Sequence, residues 1–473
     1  MTAKKKASTK KPETETGLPA WVKIPLALIV IGVVIAIVAI VIGEKTHLAH
    51  SWLVSFMFYL SICLGGFFLV LLHYLLDTHW IVPIRRIAEH LACLLPLMAV
   101  LFVPIAMYSG SEFVTISAGA KASEHEKNNN AIKAEKKAAE VHGEKVEHKE
   151  GESDHAAHGP DKPRAFYSWM QSEKEYYASN NETHDHAWYA KKGYLSTSFW
   201  HIRWVFCFVI WGVFTWLIRK YSLAQDSDGD AKWTGYNRKL AAAGIFVFAA
   251  TLTIGAIDWM KGLEHQWFST MYGVYYFAGS VWVSLITIYV IALQLKTHGP
   301  LKDVVQKKTL KDNATLFFAF TVFYAYIHFS QYFLIWNASI PEETFWYVKR
   351  EQGPWWWVGM LIIFGHFFVP FLALLRQDVK VRSEVMITVA VLAWFIHFCD
   401  MSYNIMPLIH ESSGWMELIW IDLGCLLFMG GCLSIAFIYF FKKHPPYPQR
   451  DPRIAETMGV YIKLHSEAKA AGK

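Results

Sequence analysis

In the apolar stretch "WFIHFCDMS" a histidine, His397, and an acid, Asp400, stand three residues apart. That spacing is about one helical turn, so imidazole and carboxylate share a face. In "TVFYAYIHFSQ" Thr321, Tyr324, His328 and Gln331 recur at helical spacing and share another face. Asp258 ends a third apolar run and is soon followed by Glu264 and His265. A second group, toward the inner half or inner surface, holds His73 with Asp77, Glu89 with His90, His366 and Glu384; Asp422 lies about two turns into the last apolar run. Carboxylate, imidazole, phenol and amide groups in an apolar setting can pass protons or hold a quinone headgroup. The candidates for a proton path are Asp258, His265, His328, His397, Asp400, His366, Glu384, His73 and Asp77. Those for a quinone are Tyr324, His328 and Gln331.

Two other readings compete with these. The polar groups can satisfy one another as packing, although an acid at membrane depth needs a partner or a shifted pKa. Alternatively, His328 and His397 can hold a b-type haem. Each lies some 14 residues beyond the start of its run, about 21 Å along a helix, so their depths match. The residues near them do not decide among the three.

The elements that must position these groups are membrane helices. The chain is 54% hydrophobic and 16% aromatic, with positive mean hydropathy, unlike a soluble domain. Ten apolar runs are long enough to cross a hydrocarbon core: 22–42, 52–76, 86–107, 199–218, 239–257, 270–294, 314–335, 353–375, 383–403 and 416–441. They are numbered here as spans 1 to 10. The expected fold is an all-α polytopic membrane protein. Its parts are an N-terminal tail (1–21), spans 1 to 3 (22–108), an outer insert (109–198), spans 4 to 10 (199–441) and a C-terminal tail (442–473).

Lys and Arg crowd the short loops after spans 2, 4, 6 and 8 and thin out in the opposite ones. That asymmetry places both termini in the cytoplasm. The net charge of +6 then reflects topology and calls for no nucleic acid. The six cysteines form no CxxC, CxxCH or cluster spacing, so the sequence offers no covalent haem, iron–sulfur or other metal site. Residues 114–165 lack aromatics and read as a solvated arm. Short matches, "DTHW" with "KTHG" and "GAIDWM" with "HFCDMS", suggest that spans 2–5 and 6–9 form two similar four-helix bundles, with Asp258 the counterpart of Asp400.

"HQWFSTMYGVYYFAGS" (265–280), "FSQYFLIWNASIPEET" (329–344) and "WYVKREQGPWWW" (346–357) resemble the NrfD/PsrC-like integral membrane subunits of quinol-oxidising complexes. The closer likeness is to those of bacterial alternative complex III, a quinol:cytochrome c oxidoreductase, and among them to the ActF type. The resemblance covers roughly residues 22–445, and the 114–165 arm lies outside it. It implies two four-helix bundles with flanking helices, in the bacterial inner membrane, and no prosthetic group in this chain. Quinol or menaquinol, haem c and iron–sulfur clusters would belong to partner subunits. Those partners would be an ActC-like homologue, an iron–sulfur subunit, c-type cytochromes and a terminal oxidase, with lipids around them. The implied role is a proton path and a scaffold in a respiratory chain, and "IPEET" would be an outer loop capping the second bundle. A quinol-binding catalytic subunit and an independent secondary transporter are the alternatives.

Overall fold

Spans 1 to 10 run as Trp21–Val41, Lys45–Leu76, Val82–Tyr108, Thr197–Asp228, Lys232–Trp259, Tyr272–His298, Lys307–Ala338, Pro354–Leu374, Ser383–Leu408 and Met416–Lys443. The computed structural model describes residues 20–110, 112–113, 164–171, 186–351, 353–410 and 415–458. The expected arm at 114–165 lies almost wholly outside them. Among the described residues the protein is an all-α polytopic membrane protein, as its ten apolar runs require. One two-residue ladder, Glu112–Phe113 with Arg164–Ala165, closes the base of the insert.

Spans 2, 3, 4 and 5 pack in a closed ring, each on the next and the fifth back on the second. Spans 6, 7, 8 and 9 do the same. The two bundles meet where span 2 lies on spans 6 and 9 and span 5 on span 6. Spans 1 and 10 form a separate pair, attached to spans 2 and 3 mainly through span 10, with span 1 also touching span 2. Burial follows this plan: 89% of the apolar window of span 2 is covered by protein, against 17% of span 1. Lipid is as apolar as leucine, so packing rather than hydrophobicity must join such helices. At the 2–6 crossing Gly65 supplies it. A Cβ there would overlap the Ser280 carbonyl and the Ser284 hydroxyl. Ser284 Oγ also donates to the Ile62 carbonyl at 2.7 Å. Gly65→Val should therefore separate the bundles. Size-exclusion profiles of detergent extracts should show aggregated chain and little monodisperse protein, whereas Gly110→Ala, at an open position, should behave as wild type.

Three departures from the sequence reading have clear causes. Span 3 starts near residue 82, because Val82–Ile84 and Arg85–Ala92 are helical despite their charges, which are buried and paired. "IPEET" is not a loop. Pro341 opens a helix, Pro341–Arg350, with Glu342 and Glu343 in its first turn, where proline and acids suit a helix start. Spans 5 and 8 each contain a π turn, Ala256–Met260 and Ile363–Phe368. Such turns insert one residue and re-aim a side chain, and they carry Asp258 and His366. All six cysteines are free.

The even number of spans puts the 444–458 segment on the same face as the loops at 77–81 and 228–232. That side is called the terminal face below, and its opposite the far face.

Candidate functional site

His397 and Asp400 lie wholly buried on span 9, facing span 6. His366 joins them from span 8. One ligating atom from each of the three falls within 4.8 Å of the others. The sequence reading put His366 toward the inner half with Glu384, His73 and Asp77. The structure corrects this, because span 8 runs antiparallel to span 9 and its π turn swings the imidazole inward. The His366 ring is clamped between Tyr324, 3.5 Å away at 13°, and Trp282, 3.7 Å away at 21°.

Hydrogen-bond partners fix the chemistry of the trio. The Ser61 hydroxyl donates to the Phe58 carbonyl at 2.6 Å. Its oxygen can therefore only accept from His397 Nε2–H, 2.8 Å away. This tautomer leaves a lone pair on His397 Nδ1. Asp400 Oδ1 accepts from the Tyr275 hydroxyl. Asp400 Oδ2, His397 Nδ1 and both ring nitrogens of His366 are buried without a protein partner. Buried polar atoms are rarely left so.

From Asp400 a polar string runs toward the far face. Asn404 Nδ2 donates to Tyr275 Oη at 2.9 Å, and Tyr272 Oη donates to Asn404 Oδ1 at 2.9 Å. Arg350 donates to the Asn404 carbonyl at 3.0 Å and to Glu264 Oε2 at 2.9 Å. Burial alone would raise the Glu264 carboxyl, but Arg350 and Lys349 hold it below its usual range. Toward the terminal face Trp282, Phe317 and Thr321 close the way under His366. Asn313, fully buried on span 7 with both amide atoms unpartnered, is the next buried polar group along that helix.

The quinone candidates do not converge on one headgroup site. Tyr324 is buried and His328 half-buried, with ring centroids 5.7 Å apart. Gln331 lies further out, where it accepts from Ser269 at 2.9 Å and donates to Tyr347 at 3.0 Å. Gly279 packs against His397 and Tyr324: a Cβ there would touch His397 Cε1 at 3.3 Å and Tyr324 Cε2 at 3.6 Å. Glu384 is exposed in the first turn of span 9 and joins no cluster.

The other candidates fall into separate clusters. Asp258, the counterpart of Asp400, is paired to Arg203 and accepts from Tyr194 at 2.8 Å. The two acids thus differ in environment. His265, buried nearby, lies 3.4 Å from Ser168 Oγ. At the terminal face His73 accepts from Arg85 at 2.9 Å, and half-exposed Asp77 pairs with Arg238 and Arg453. Glu89 lies among Arg85, Arg86 and Arg219. Asp451, outside the spans, is held well below the carboxylate range: burial opposes this, but bonds from Arg453 and the charge of Arg85 outweigh it.

Sequence reasoning missed Ser61, Tyr272, Tyr275, Asn404 and Arg203. The two tyrosines sit in "MYGVYYF", where they read as ordinary membrane aromatics. It also missed His47, whose imidazole bridges His410, at 2.8 Å, and Asp422, at 3.1 Å, between spans 2 and 10. Compared with the known protein families and with curated proteins, the chain matches none.

Proposed function

We propose that this chain is a non-redox membrane subunit of a respiratory quinol:cytochrome c oxidoreductase of the alternative complex III type, and that its second bundle carries protons through part of the membrane. The observation that carries the reading is the His366–His397–Asp400 trio with its Tyr275–Asn404–Tyr272 extension. The imidazoles and the carboxyl can take up and release protons, the tyrosine hydroxyls can rotate, Asn404 links those hydroxyls by hydrogen bonds, and one end approaches the far face. A structural core would not need four unpartnered polar atoms turned on one another. In this reading the membrane is a bacterial inner membrane, both termini lie in the cytoplasm, which the Lys/Arg asymmetry supports, and the trio lies in the periplasmic half of the bilayer. Quinol oxidation, iron–sulfur clusters and haem c belong in this reading to an ActC-like homologue and to iron–sulfur and cytochrome partners.

Affinity purification of the tagged chain from its native membrane tests the reading. The preparation should show c-type haem bands and reduce cytochrome c with a quinol as donor. A chain that purifies alone and without haem would instead be a transporter, and the oxidoreductase assignment would fall.

A further inference from the structure

A cavity of about 190 Å³ opens on the far face beside the first bundle, lined by Trp169, Lys191, Tyr194, Asp258, Lys261 and His265. It is several times the roughly 30 Å³ share of one water molecule. Among the described residues its charges do not balance. Both Asp258 oxygens are engaged, one by the Tyr194 hydroxyl and one by Arg203. Glu264 is turned away, to Arg350 and Lys349. Lys191 Nζ donates to the His265 carbonyl at 2.8 Å. Lys261, half-buried in the wall, makes no ion pair or hydrogen bond among the described residues. Arg203 Nη2 is buried without a partner. Burial, and then the charge of Lys191, push the Lys261 ammonium down to about 8, while Asp258 pulls the other way. An ammonium held like this lacks a counter-charge.

The setting selects the anion. Trp169 and Tyr194 are the amphipathic rings that settle at headgroup level. Arg203 lies over the Phe199 ring at 4.5 Å. From Phe199 an exposed strip, Ile202, Phe206, Val209 and Val213, continues down one face of span 4 at helical spacing. A ligand with its anionic head in the cavity can lay a hydrocarbon tail along that strip. Basic pockets between membrane helices take anionic lipid headgroups.

We propose that this cavity is a binding site for the phosphate of an anionic membrane lipid, with Lys261 as its charged contact and the span 4 strip as the bed for an acyl chain. The site is independent of the oxidoreductase reading.

The test uses the purified full-length chain in nanodiscs of phosphatidylcholine with increasing phosphatidylglycerol, and bound phosphatidylglycerol is counted by native mass spectrometry. A phosphodiester keeps its single charge from pH 7 to 9. The free ammonium is mostly charged at pH 7 and about one-tenth charged at pH 9, so affinity should fall about tenfold between them. Lys191, Asp258, Tyr194 and His265 line the same cavity, Arg203 is paired to Asp258 beside it, and all five remain in every variant. Lys261→Gln should weaken binding about tenfold at pH 7 and remove the pH dependence. Lys261→Arg, which stays charged, should bind equally at both pH values. Unchanged affinity in a monodisperse Lys261→Gln sample would overturn the proposal. Displacement by millimolar inorganic phosphate would show that the site takes free phosphate and overturn the lipid assignment. A carbodiimide cross-link from Lys261 to a partner carboxylate, in a complex that retains no phosphatidylglycerol, would show that a protein occupies the cavity and equally overturn it.

Discussion

Replacing Glu89 by glutamine should abolish recovery of folded protein, the largest single-residue effect expected in this chain. Glu89 is almost fully buried at the terminal face. Its Oε1 accepts from Arg85 at 3.1 Å and Ser222 at 2.7 Å; its Oε2 accepts from Arg86 at 2.7 Å and Arg219 at 2.9 Å. The carboxylate therefore ties spans 3 and 4 and neutralises part of three buried guanidinium groups. Asp226 takes Arg86, and Asp451 takes Arg85. Asp451 brings with it the segment after span 10, fastened again by Arg453 to Asp77. Glutamine keeps the size and one acceptor oxygen but removes the charge. Breaking a buried pair from one side costs about 3–5 kcal/mol, a large part of a stability of roughly 5–15 kcal/mol. Monodisperse protein after mild detergent extraction should fall to background for Glu89→Gln. Asp451→Asn, at the edge of the network, should lower yield and melting temperature without abolishing them. A Glu89→Gln protein with wild-type yield and melting temperature would mean that the arginines find other counter-charges and that the network does not hold the terminal face together.

The helices were legible because length and apolarity alone identify a spanning segment, and the fold class followed. The two bundles were visible only as a faint repeat. What joins them is steric, the bare Cα of Gly65 against span 6, and a glycine in "CLGGFF" carries no mark of its partner. The polar groups divided along the same line. His397 with Asp400 was readable because both sit on one helix, where spacing decides the face. His366 was misplaced because its neighbours come from another helix, and a π turn shifts the register that counting along the chain assumes. Asp258 and Asp400 looked alike in sequence, since each acid ends an apolar run. Arg203, one span away, separates them by pairing with the first and leaving no counterpart beside the second. Contacts between helices decide all these cases, and a single sequence does not record them.

Asp400→Asn should leave the complex assembled and slow its quinol-dependent turnover by about a hundredfold, the scale of a lost positioned proton-transfer group. Asparagine keeps an oxygen for the Tyr275 hydroxyl and nearly the same volume, so the bonds from Asn404 to Tyr275 and to the Asp400 carbonyl, 2.9 and 2.8 Å, have no reason to break. It cannot take up a proton between His397 and Tyr275. His366→Phe should act in the same direction, since an aromatic ring can remain stacked between Tyr324 and Trp282 while both nitrogens are lost. Ser61→Ala should act more weakly. It frees His397 from its fixed tautomer but leaves the imidazole in place. The competing view, that Asp400 only anchors span 9, predicts the reverse: Asp400→Asn would reduce assembly, and the surviving complex would turn over normally. Haem content per membrane protein measures assembly. Cytochrome c reduction, with pH-electrode counts of protons released per electron in proteoliposomes, measures function. A fully assembled Asp400→Asn complex with wild-type turnover and proton yield would remove the trio from the mechanism and leave it as packing between spans 6, 8 and 9.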